Sequence, residues 1–84
     1  MTDQEILQEV RTYIANTFLD GDSKGLDENT PLLQTGIVDS MGIMELLSFI
    51  RDRFSLDLPE EEVRPENLEN LKVIVALVNR FKKS

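Results

Sequence analysis

Asp39 and Ser40 are the residues in this chain whose types and position could support chemistry. They stand in Gly36-Ile37-Val38-Asp39-Ser40-Met41, where a turn-rich stretch gives way to a long apolar-periodic run. Both carry a short side-chain oxygen that can accept from an orphan backbone N–H, so either could cap a helix. Ser40 would then sit at the positive end of that helix, where free N–H groups and the dipole favour an anion. A phosphate ester on its hydroxyl would be well placed, and Ser40 is read as the bearer of a phosphodiester-linked arm. The simpler reading of the Asp-Ser pair taken alone is a plain N-cap, because two-residue motifs recur by chance.

The rest of the composition offers little competing chemistry. His, Cys and Trp are absent, so the chain has no imidazole or thiol for catalysis or metal binding and no disulfide. Any thiolate chemistry would need an imported thiol. Sixteen acidic residues against nine basic ones give a net charge of −7. That argues against nucleic acid, whose affinity rests on Lys and Arg, and against an anionic membrane surface. It suits partners with basic docking patches, and equally it serves solubility. No apolar run approaches the ~20 residues of a membrane span, and no signal-peptide pattern opens the chain, so a cytoplasmic location is expected. At 84 residues the expectation is one domain over 1–84, a monomer with a small core.

Helices must position the Asp-Ser pair. Thr2 and Glu5 form a capping-box pattern, and Ile6, Val10, Ile14 and Phe18 follow at intervals of four, with Leu7 and Tyr13 beside them. This predicts a first helix that stops near Leu19, before Asp20-Gly21-Asp22. Residues 20–38 form a long connection whose predicted anchors are Leu26, Leu32, Leu33 and Ile37. Thr30-Pro31 could start a single helical turn. Asp20, Asp22, Asp27 and Glu28 lack EF-hand spacing and read as solvated turn residues.

The second helix is predicted from Ser40 to about Phe54. Ile43, Leu46, Leu47, Ile50 and Phe54 make its core stripe, which leaves Met41, Met44 and Phe49 over. Methionine is flexible and polarisable and suits surfaces that accept varied apolar partners. Met41 and Met44 are therefore expected to flank the attachment site and touch partners, the alternative being that they fill core gaps. Gly42 costs less in a first turn than deeper in a helix. Close approach to the arm or a partner would explain it, as would a flexible helix start.

Leu58-Pro59-Glu60-Glu61-Glu62-Val63 reads as a short third helix, with Pro59 at its first position and Pro65 ending it. Asn70 is the expected N-cap of a last helix carrying Leu71, Ile74, Val75, Val78 and Phe81, with Val73 and Leu77 alongside. Lys72, Asn79, Arg80, Lys82 and Lys83 fall outside that stripe. With no credible sheet, the sum is an all-α bundle of three longer helices and one short third helix.

In this order, the amphipathic helix, long loop, Gly36-x-x-Asp39-Ser40-Met41, Glu45-Leu46, Leu58-Pro59-Glu60-Glu61-Glu62 and last helix after Asn70 resemble the acyl carrier proteins over essentially the whole chain. The resemblance implies a four-helix acyl-carrier-like bundle with 4'-phosphopantetheine attached at Ser40. A holo-carrier synthase, or phosphopantetheinyl transferase, would transfer it from coenzyme A with magnesium, and Asp39 would help position the metal and the phosphate. The carried acid would be a thioester on the arm's thiol, which fits a chain without Cys. Departures exist. The fatty-acid type usually has an acidic residue where this chain has Gly42, and acids where it has Arg51-Asp52-Arg53. The run through Gly42 with Leu46-Leu47 is more similar to D-alanine carriers and other stand-alone carriers loaded by an adenylating ligase.

Such a protein would not be an enzyme, since the chain has no nucleophile–base–orienter set of its own. A flexible tether would present its cargo at effective concentrations of order mM. Glu45, Glu60, Glu61 and Glu62 are the candidates for charge-based docking, each pair worth only about 0–1 kcal/mol and screened by salt. The rival from another class is an unmodified helical protein–protein interaction module. A carboxylate hydrolase would need two acids facing across a pocket, for which so small a bundle has little room.

Overall fold

The computed structural model describes residues 2–82. Three α-helices carry the fold: α1 (Asp3–Phe18), α2 (Ser40–Phe54) and α3 (Leu71–Phe81). α1 starts where the capping box predicts. The Thr2 side chain accepts from Glu5 N–H at 3.2 Å, and the Glu5 carboxylate accepts from Thr2 N–H at 2.9 Å. That backbone bond, with the Thr2 hydroxyl second, holds the Glu5 carboxyl below its ordinary value. Asn70 caps α3 through a 2.8 Å bond from Val73 N–H. Lys83, expected outside the apolar stripe of this helix, lies outside the described residues.

The apolar stripes meet in one cluster. Ile6, Val10 and Ile14 of α1, Ile43, Leu46, Leu47 and Ile50 of α2, and Leu71, Ile74, Leu77 and Val78 of α3 are buried together. Phe18, Phe54, Val75 and Phe81 are only half-buried and lie at its edge. Tyr13 and Phe49 stack across α1 and α2 with ring centroids 4.0 Å apart, so Phe49 belongs to packing. Ala15 is buried as well. Its small size hides it from a count of large apolar residues.

Segment 55–70 departs from expectation. The short third helix is a 3-10 turn, Glu60–Glu62, and a second such turn, Pro65–Leu68, follows it. Pro59 precedes the first turn without a side-chain cap. Pro65 opens the second turn and, through Arg64, also ends the first. The reason is local: a residue before proline is forced extended, and Arg64 has φ −139° and ψ 147°. That breaks any α-helix begun at Pro59 after one turn. An isolated antiparallel bridge, Leu56 with Lys82, and a 2.9 Å bond from Asp57 N–H to Phe81 O tie the end of α2 to the end of α3.

The long connection is held by burial at intervals. Leu26, Leu32 and Val38 are fully buried, and Ile37 is half-buried. Each of the three fully buried anchors is worth roughly 1.5–3 kcal/mol, more than the ~1 kcal/mol net of a loop hydrogen bond. Leu33 is the exception among the expected anchors, at 37% exposure. Two bonds fasten the loop to the start of α3: Leu32 N–H to Glu69 O at 2.9 Å and Lys72 N–H to Glu28 O at 3.0 Å. Residues 32–36 form turns, with one helical bond from Thr35 N–H to Pro31 O at 3.1 Å. Thr30 does not cap this turn, because its hydroxyl accepts from Asp27 N–H instead.

Candidate functional site at the start of α2

Asp39, not Ser40, is the N-cap of α2. Its Oδ1 accepts from Gly42 N–H at 2.7 Å, and its carbonyl accepts from Ile43 N–H at 2.9 Å. Ser40 is the first residue of the helix and is exposed. The plain-cap reading of Ser40 therefore fails: the capping is done next door, and Ser40 stands exposed at the positive pole of the dipole. Val38 and Ile43 occupy the two positions of a hydrophobic staple around the cap, and both are buried. This staple was the signal available for Val38.

Gly42 is buried, and its reason is internal. A Cβ there would lie 2.8 Å from Phe18 Cε1, 3.0 Å from Val38 Cγ1 and 3.1 Å from the capping Asp39 Oδ1. The flexible-start explanation is replaced by close packing against α1 and the loop.

Met41 and Met44 are 80% and 57% exposed. They do not fill core gaps. Ser40 and Met44 also line an apolar cleft of about 130 Å³, with Leu33, Ile43, Leu47, Val63, Arg64, Pro65 and Leu68 completing its wall. Leu33 and Arg64 escape sequence reasoning because one resembles a core anchor and the other a solvated charge. An exposed serine at a helix N-terminus and Arg64 thus border the same mainly apolar cleft.

The charges sort differently from the sequence picture. Glu45, Glu60 and Glu61 are exposed. Glu62 is half-buried, and its Oε1 pairs with Arg80 Nη2 at 3.2 Å and accepts from Asn67 Nδ2 at 3.3 Å. Arg53 makes a two-pronged pair with Glu9, at 2.6 and 2.9 Å. The exposed charges of α2, Glu45 and Asp52 against Arg51 and Arg53, cancel, so the negative excess of the molecule lies elsewhere.

A family model described as the phosphopantetheine attachment site matches residues 8–80. The chain belongs to this family of phosphopantetheine carriers. Among curated relatives it is 41% identical over 70 residues to a probable acyl carrier protein, PigG, of a Serratia species, covering 83% of this chain and 80% of the relative. It is 33% identical over 81 residues to a D-alanyl carrier protein of Lacticaseibacillus rhamnosus, covering 95% and 98%. A chain in a crystal structure described as that of an FAD-dependent dehydrogenase superimposes with a TM-score of 0.69 at 40% identity, covering 82% of this carrier and 97% of that chain. The protein is an acyl carrier with a covalently attached 4'-phosphopantetheine. Carriers of this family work with phosphopantetheinyl transferases and with synthases or ligases, and are not themselves catalytic. Among the described residues no helix is long and apolar enough to cross a membrane.

Proposed function

We propose that Ser40 bears the arm, and that this single-domain, cytoplasmic, non-catalytic carrier shuttles an acyl or aminoacyl thioester from an adenylating ligase to downstream enzymes. The observation that carries the proposal is the exposed Ser40 hydroxyl at the first position of a helix already capped by Asp39. In loading, Ser40 Oγ attacks the pyrophosphate of coenzyme A. A new P–O bond forms at Ser40, the anhydride bond breaks, and adenosine bisphosphate leaves. The hydroxyl proton passes to a base on the transferase. Asp39 Oδ1 holds the cap, and its second oxygen is available to the transferase's magnesium.

Docking is proposed at Met41 and Met44, with Glu45, Glu60 and Glu61 supplying charge. Glu62 is a weaker candidate because Arg80 and Asn67 already engage it. One partner class has specific support. The chain matched in the dehydrogenase structure is no longer than a carrier, since 82% of this chain spans 97% of it. A flavin dehydrogenase that removes a hydride and a proton from the tethered acyl group is therefore proposed among the partners, the electrons going to its FAD.

Intact mass after incubation with coenzyme A, magnesium and a broad-specificity phosphopantetheinyl transferase tests the attachment. The wild-type chain gains the arm and Ser40→Ala does not. A modified Ser40→Ala chain would overturn the assignment of the arm to Ser40, and so would an unmodified wild type.

A further inference from the structure

We infer that Arg64 is the counter-cation of the phosphodiester on Ser40 and a positioning residue for the root of the arm. The inference rests on Ser40 being the attachment point. A phosphodiester keeps one negative charge at any ordinary pH, and at Ser40 it meets the dipole of α2 from one side only. Ser40 and Arg64 line the same small cleft, and Arg64 is the one cation among the described residues that does so. Other cations on α2 are poorly placed. Arg51 lies eleven residues along the helix, about 16 Å down its axis at 1.5 Å per residue. Arg53 is engaged by Glu9.

Arg64 is also free to change partner. Its carboxylate neighbour is Glu66 at 3.7 Å, with both side chains more than half exposed. Such a pair is worth about 0–1 kcal/mol. A guanidinium meets a phosphate through two parallel charge-assisted bonds, so the phosphodiester outcompetes Glu66 wherever it comes within reach. The backbone beneath this side chain is fixed: Pro65 holds Arg64 extended, and Arg64 N–H donates to Glu62 O at 2.9 Å.

The test uses holo protein and the phosphorus-31 resonance of the arm, with arm proton relaxation as a second readout. In the wild type the resonance moves as sodium chloride is raised, because salt screens the pair. Arg64→Gln sits at the high-salt position from the start, loses the salt response and has a more mobile arm. Arg64→Lys falls between, keeping charge without the fork, and Lys72→Gln, away from the cleft, behaves as wild type. Identical positions, salt responses and relaxation in wild type and Arg64→Gln would overturn the inference while leaving Ser40 as the attachment point. Failure of the wild type to gain the arm by mass would overturn both.

Discussion

Phe18 closes over Gly42, with its Cε1 2.8 Å from where a side chain at 42 would begin. This contact joins the end of α1 to the first turn of α2, two residues beyond Ser40. It also explains why no acid occupies this position, since a glutamate stem would have to displace Phe18, Val38 and the capping oxygen of Asp39.

Gly42→Ala is accordingly expected to destabilise the fold, although alanine is the better helix former by up to about 1 kcal/mol. Overpacking of this kind costs typically 1–3 kcal/mol, and three contacts would have to yield at once. In a domain of this size each 1 kcal/mol lowers Tm by roughly 4–8 °C, so thermal unfolding followed by circular dichroism reads the sign directly. A raised Tm would mean that the Phe18 ring swings aside freely.

Asp39 can be split into its two roles. Asp39→Ala removes the cap and should cost about 1 kcal/mol, slowing arm transfer as well. Asp39→Asn retains a capping oxygen but loses the charge offered to the metal. It should keep the wild-type Tm while arm transfer, followed by mass, falls. Equal transfer rates for Asp39→Asn and wild type would remove the metal-positioning role.

Met44→Ala should lower turnover by a partner enzyme at fixed carrier concentration, with stability held within about 0.5 kcal/mol as for an exposed site. A fall in Tm with unchanged turnover would assign Met44 to packing after all.

Among the glutamates, Glu60→Gln and Glu61→Gln should raise KM with a partner and flatten its salt dependence, because exposed charges are screened by salt. Glu62→Gln should instead loosen the contacts with Arg80 and Asn67 and lower Tm slightly. A partner whose KM ignores both salt and these substitutions would leave docking to the methionines alone.

Acid should unfold this protein partly through Glu5. Its folded carboxyl lies below the ordinary 4.5 because Thr2 donates to it. The group therefore contributes stability that is fully present above its unfolded value and is lost as pH falls through the lowered folded value. Glu5→Gln should flatten the decline of stability below pH 4.5. An acid limb superimposable on that of the wild type would show that Glu5 contributes nothing.

The helices were legible because their stripes and caps point the same way. Thr2 with Glu5 and Asn70 with Val73 form the bonds that their spacing implies, and the start of α2 follows from the change in period at Ser40. What stayed hidden depends on contacts distant in sequence. Leu33 and Leu32 are neighbours of identical type, yet only Leu32 is buried, and its N–H is the one bonded to Glu69 O. Gly42 looked permissive in one dimension because Phe18 reaches it only in the folded bundle. Arg64 carries no mark in the sequence, and only the turns around Pro65 bring it to the cleft. The short third helix forms only as the 3-10 turn Glu60–Glu62, for a local reason that was visible in the sequence, the effect of Pro65 on the residue before it.

The assignment of the cap to Asp39 has one more consequence. The bond that caps α2 is made by Asp39 and not by Ser40, so esterification of the Ser40 hydroxyl would take no capping bond from the bundle. Loading and unloading of an arm at that position would accordingly leave the start of the helix held as it is.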